Sequence, residues 1–262
     1  MKKSVILVAV FTFVILLAVP AWAQNQDTQG TGQSVYACTI IDKPGSYVLA
    51  KNITARQSDL KHIRNESACI LIFADFVSLD LQGRTITGPG ADIYAFGIYS
   101  TAPASGRAPI ATHIRNGCAT KFDRGISVEG TGHTVEGVRV AANVAGIQMD
   151  AVGVKVKDVV ATSNTYGIAS FTGAGNSVEN CQVYSNDGGG IVLGTQDPQY
   201  SSFGSRIVGN NVFGNGGIGI YAQCPSVILQ NLAYQNAGGD IVTVPGAPWT
   251  YCTLSNNNPE VP

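Results

Sequence analysis

Between Gly125 and Gly239 the sequence repeats itself. A Gly-Ile pair opens a unit at Gly125, Gly146, Gly167, Gly190 and Gly219, at steps of 21, 21, 23 and 29 residues. An earlier unit opens at Gly97-Ile98 and a later one at Asp240-Ile241. A unit this short cannot bury an apolar face alone, so a chain that repeats it must stack each copy on the last.

Within each unit apolar residues alternate with period two: Ile126/Val128, Val135 and Val138/Val140 in one, Ile147/Met149, Val154/Val156 and Val159/Ala161 in the next. Such runs, punctuated by Gly, Asn and Asp, are strands and turns. About three strands per unit fit a coil that climbs one sheet spacing, ~4.8 Å, per turn. Parallel crossovers are right-handed in nearly all cases. The expected fold is all-β, a single-stranded right-handed parallel β-helix with coils of about 21 residues. A polar column supports that register. Asn143, Asn164, Asn215 and Asn236 stand three residues before a unit start, and Asn186 four. Stacked amides, each donor and acceptor, predict an asparagine ladder.

The N-x-x-Gly-Ile repeat, with FVSLDLQGRTITGPG (76–90) and IRNG (114–117), resembles right-handed parallel β-helix repeat proteins of the pectate-lyase-like superfamily, in particular periplasmic ones. The resemblance spans roughly residues 45–255 and is specific for fold. It implies that an outward strand and its adjoining loops form a saccharide groove. Some similar periplasmic repeat proteins are described as copper-binding, but three His, and a single Met after the leader, give a copper site little support here.

Residues 1–23 read as a secretory signal: Lys2-Lys3, the apolar run VILVAVFTFVILLAV, then Ala21-Trp22-Ala23. The run is short for a membrane span. A mature chain from Gln24 would be secreted or periplasmic. Its net charge would fall from −1 to −3 with the two lysines. That balance, with no basic run, argues against nucleic acid as a partner. Residues 24–37 read as a flexible lead-in and 38–262 as one β-helix domain with end caps. ARQSDLKHIRNES (55–67) breaks the strand pattern and is expected to form a short helix capping the open end, with His62 on its surface. Trp249 and Tyr251 are expected to plug the far end. Insertions at 100–112 and 194–205 leave the coil at matching points. They are either the walls of a groove or loops tolerated there.

Six cysteines follow the leader. Six permit about 15 full pairings, and spacing alone does not choose among them; Cys38–Cys69 and Cys224–Cys252 would staple the two ends. Cys118 and Cys181, three coils or ~14 Å apart, are too distant for a bridge. Cys181 falls in an inward column. No CxxC, HExxH or Asp-rich loop is present, so no metal or cofactor is expected.

The strand with inward Leu79, Ile114, Val135, Val156, Val178 and Ile207 must point its neighbours outward. One outward column is Ser78, His113, Thr134, Lys155, Ser177, Arg206. The other is Asp80, Arg115, Glu136, Lys157, Glu179, Val208, whose charges alternate in sign. The plain reading is a ladder of ion pairs. The functional reading assigns His113, Lys155 and Arg206 to catalysis and Arg115, Glu136, Lys157 and Glu179 to substrate binding. Cations would neutralise a uronate carboxylate, and His113, or a Lys155 buried under a loop, would take the adjacent C–H proton. Glu136 and Glu179, two coils apart, lie at the far edge of the spacing for glycoside hydrolysis, with Lys157 between them. The aspartate clusters of pectate lyases and the motifs of polygalacturonases are absent. His133 reads as structural, and Glu129 with Asp150, one coil apart, as solvated acids. Two functions stay open: a protein that binds or processes an extracellular, acidic polysaccharide, or a non-catalytic envelope or adhesion scaffold. Neither specifies the oligomeric state.

Overall fold

A computed structural model describes residues 32–195, 202–245 and 250–259. The leader at 1–23, most of the lead-in, the centre of the second insertion and Trp249 lie outside them. Among the described residues the strands form two sheets, of sixteen and twelve strands. All strand pairings are parallel except the hairpin Lys61–Ile63 with Glu66–Ile72. No helix among the described residues is long and apolar enough to cross a membrane.

One coil shows how the sequence winds. Strand Thr134–Ala141 bends at Gly137, and Ala145–Val152 carries the Gly-Ile pair. The next rung repeats this with Lys155–Lys157, Val160–Thr162 and Tyr166–Ser170. Register follows the repeat: Ile126 pairs with Ile147, then Ile168, Ile191, Ile220 and Ile241. Val135, Val156, Val178, Ile207 and Ile228 form a second fully buried column. Burying a side chain of this size contributes about 1.5–3 kcal/mol. The corners are single residues in the left-handed region. Gly137 (φ 59°), Asp158 (55°) and Asn180 (55°) turn one corner; Ala142 (56°), Ser163 (56°) and Ser185 (53°) turn the next.

The second corner is held by the expected ladder. Asn143, Asn164, Asn186, Asn215 and Asn236 are buried. Each Oδ1 accepts from the backbone N–H and, from the second amide onward, from the Nδ2 of the rung before, at 2.8–3.1 Å. Each Nδ2 also donates to a carbonyl of the coil below. Asp240 Oδ1 ends the column as acceptor from Asn236. A second ladder was not foreseen: Asn210, Asn231 and Asn257 repeat the geometry at the first corner. There the column begins as Val138, Val159 and Cys181 and changes to amides midway.

Three expectations change. Residues 57–59 are one 3-10 turn, and 61–72 is the hairpin rather than a capping helix. Its Ile63 packs with Ala68, Leu71, Phe96 and Tyr99 in a separate cluster, apart from the main core. The alternation Lys61-His62-Ile63 is strand-like and carries the hairpin. Within the lead-in, Gln33–Val35 is a strand paired with Gly45–Leu49, and Val35 is buried, so the coil starts earlier than read. Tyr251 does not plug the end; its side chain is 77% exposed.

The disulfides are Cys38–Cys69 and Cys224–Cys252, while Cys118 and the buried Cys181 are free thiols. Burial pushes the Cys181 thiol up to about 12.

Candidate functional site

The two outward columns stand in the expected register. Ser78, His113, Thr134, Lys155, Ser177 and Arg206 are rung neighbours; so are Asp80, Arg115, Glu136, Lys157, Glu179 and Val208. Parallel stacking puts residues 21 to 35 apart side by side. Strand alternation keeps both columns on the solvent side of the buried Leu79–Ile207 column.

Charge pairing runs diagonally between the columns as well as along one of them. His113 Nε2 lies 2.9 Å from Glu136 Oε1, and Lys157 Nζ is 2.5 Å from Glu136 Oε2. Lys155 Nζ is 2.8 Å from Glu179 Oε2, and Arg206 Nη1 donates to Glu179 Oε1 at 2.6 Å. Ser177 Oγ also donates to Glu179. Arg115 Nε is 3.2 Å from Asp80 Oδ2 but out of line for a hydrogen bond, and that buried nitrogen has none. The hydrogen bond from Lys155 holds the Glu179 carboxyl down at about 2, aided by Ser177 and the charge of Arg206. Glu136 is lowered by Lys157 first and then by His113, and Lys157 is raised in return. Both glutamates are therefore ionised at neutral pH, and neither is a proton-donating acid for glycoside hydrolysis.

The face is open. Lys155 is 45% and Arg206 52% exposed at the side chain. The burial that would make Lys155 a base is absent, and it is ion-paired instead. His113 Nε2 is held by Glu136, which leaves Nδ1 as the unpaired ring nitrogen on this contact. The first insertion folds back along the coils. Arg107 pairs with Asp75, and Ile110 bridges to Thr131.

His133 and the acids on the other sheet have structural partners. His133 Nδ1 accepts from the Thr112 N–H, and Nε2 donates to the Glu129 carbonyl. Burial lowers its pKa, so it stays neutral. Glu129 accepts from Tyr99 at 2.5 Å and Thr101 at 2.6 Å, while Asp150 accepts from Gln148. Each carboxylate has its own donors, so the two do not share a site. No group of three or more potential metal-ligating side chains occurs among the described residues.

Residues 111–258, more than half of the chain, match the family described as right handed beta helix region. The chain belongs to the right-handed β-helix family. A solved structure shares the fold. The Dettilon tailspike protein superposes with a TM-score of 0.60 at 13% identity, over 86% of this chain and 54% of that one. Pectate lyase Pel9A gives 0.45 at 16%, over 80% and 60%. The Azotobacter vinelandii mannuronan C-5 epimerase AlgE6 A-module gives 0.34 at 13%, over 86% and 91%. This β-helix thus spans about half of the tailspike chain and three fifths of the lyase chain. No curated protein matches its sequence. It is a right-handed parallel β-helix.

One feature of this β-helix escaped the sequence reading. On the outer side of the Gly-Ile sheet, Tyr166, Phe171 and Tyr221 border a cavity of about 520 Å³ lined by Gly188, Gly189, Gly217 and Gly238. The available signal was an aromatic residue in an outward column beside rungs that open with consecutive glycines.

Proposed function

We propose that this is a secreted or periplasmic β-helix protein whose charged face binds an extracellular acidic polysaccharide. The observation that carries this reading is the row of half-exposed cations Arg115, Lys155, Lys157 and Arg206, set on alternate rungs and paired with three carboxylates, Asp80, Glu136 and Glu179. Each cation can exchange its partner for a substrate carboxylate with little rearrangement, because these pairs are exposed and individually weak. The polysaccharide-acting names among the structural neighbours are compatible with this; they speak of those proteins, at identities that carry fold alone.

Binding is better supported than turnover. If the site does process its ligand, His113 Nδ1 is the proton acceptor, oriented by Glu136, with Lys155 and Arg206 at the substrate carboxylate. The second reading, a non-catalytic envelope or adhesion scaffold, is favoured by the pairing itself, since every cation of the face has a carboxylate near it.

Titration calorimetry with polygalacturonate and alginate oligomers separates the two. The first reading expects saturable binding that weakens with salt and falls at least fivefold, by the loss of about 1 kcal/mol or more, in Arg206→Ala and in Arg115→Ala. A rise in absorbance from unsaturated product, lost in His113→Ala, would add lyase activity. Substitutions that move only the melting temperature, with no oligomer bound, leave the scaffold.

A further inference from the structure

The aromatic cavity lies on a different sheet from the charged face and has different chemistry. Tyr166 occupies an outward column whose next rung is Gly189 and whose following rung is Ile218, by the register that pairs Ile168 with Ile191 and Ile191 with Ile220. The missing side chain at Gly189 opens a gap between Tyr166 and Ile218. A Cβ there would sit 2.4 Å from Val192 Cγ2 and 3.6 Å from the Tyr166 ring, so packing keeps the position bare. Phe171 meets Tyr166 edge to face, with ring centroids 6.1 Å apart, and fixes that wall. None of the described lining residues is charged.

Tyr221 provides the second observation. It lines the cavity at 5% exposure, and its hydroxyl has no hydrogen-bond partner among the described residues. A buried polar group without a partner is the exception in folded proteins. The outward phenol five rungs away in the same column, Tyr99, has its bond to Glu129. Tyr221, a lining residue, therefore carries a buried hydroxyl with an unused donor and acceptor in the wall of the cavity.

We infer that this cavity binds one ring of an uncharged sugar. The apolar C–H face of a pyranose packs on Tyr166, and a ring hydroxyl bonds to Tyr221. Aromatic stacking supplies area with orientation, and a few convergent polar atoms in a largely apolar cleft of this volume give specificity. An ionised sugar finds no counter-charge here. The inference extends the polysaccharide reading to a neutral residue at a second place, and each can fail alone.

The test is calorimetry of the full chain with cellohexaose, maltohexaose and mannohexaose, beside hexagalacturonate and N-acetyltyrosinamide. At least one neutral hexasaccharide is expected to bind saturably. Tyr221→Phe should weaken it about three- to tenfold without lowering the melting temperature, because the hydroxyl makes no bond among the described residues. Tyr166→Ala should abolish it, and Arg206→Ala should leave it unchanged. The inference is overturned if no neutral sugar binds, or if Tyr221→Phe leaves the affinity of a bound one unaltered. It is also overturned if Arg206→Ala weakens the neutral sugar as much as the acidic one, or if only N-acetyltyrosinamide occupies the cavity. Binding of hexagalacturonate alone, lost in Arg206→Ala, supports the charged face and removes this second site.

Discussion

At the scale of single residues, Glu179 concentrates the electrostatics of the outer face. It accepts from Lys155, Ser177 and Arg206. Its carboxyl sits at about 2 in the folded chain against an ordinary 4.5. A depressed carboxylate stabilises the fold fully above its unfolded value, and that stabilisation is lost as pH falls through the folded one. Melting temperature should therefore decline between pH 4.5 and pH 2. Glu179→Gln should flatten that part of the profile while lowering the melting temperature at pH 7 slightly; an unaltered acid limb would show that the pairs are too well solvated to matter. None of the diagonal contacts was legible beforehand. The sequence placed His113, Lys155 and Arg206 in one column and Glu136 and Glu179 in the other. Which cation reaches which carboxylate depends on side-chain rotamers across rungs. The difference bears on chemistry, since pairing with Glu179 leaves Lys155 a cation, whereas pairing with Glu136 gives His113 a fixed orientation.

At the scale of the coil, the corner decides stability. Asn164 is fully buried. Its Oδ1 accepts from two groups of Asn143, and its Nδ2 donates to Val140, Thr162 and Asn186. Asn164→Ala would strand the Asn143 amide, at about 1–3 kcal/mol for each buried group left unpaired. Asn164→Asp should cost more than the alanine, because it removes the donor and sets a carboxylate against Asn186 Oδ1. Chemical denaturation would measure both, and an aspartate as stable as the wild type would contradict the ladder. The first ladder was readable because five amides keep phase with Gly-Ile. The second was not, because Val138, Val159 and Cys181 occupy its early rungs and only Asn210, Asn231 and Asn257 carry amides. The corner before the ladder was equally silent. Ala142, Ser163 and Ser185 adopt positive φ without glycine, tolerated because the stacked amides hold the turn.

At the scale of the whole molecule, a solenoid is only as stable as its ends, since each rung contacts its neighbours alone. The two disulfides lie at those ends: Cys38–Cys69 joins the first rungs and Cys224–Cys252 the last. Cys224→Ala with Cys252→Ala should lower stability by about 2–4 kcal/mol. Hydrogen exchange should rise first in Ile241–Pro245 and Thr253–Ser255, while the Ile126–Ile168 column stays protected. Exchange that rises uniformly would mean the coils unfold as one unit. The sequence by itself determined the winding, the inward columns and the outward charges, and it separated Cys118 from Cys181; the two bridges were settled by the structure. A strict period with strict alternation admits one register, and a slip of one residue would expose every Ile and Val. Only the tertiary structure decided the hairpin at 61–72, the diagonal ion pairs and the aromatic cavity. Each of these depends on which side chains from separate rungs meet across a few ångströms, a relation that spacing along the chain does not encode.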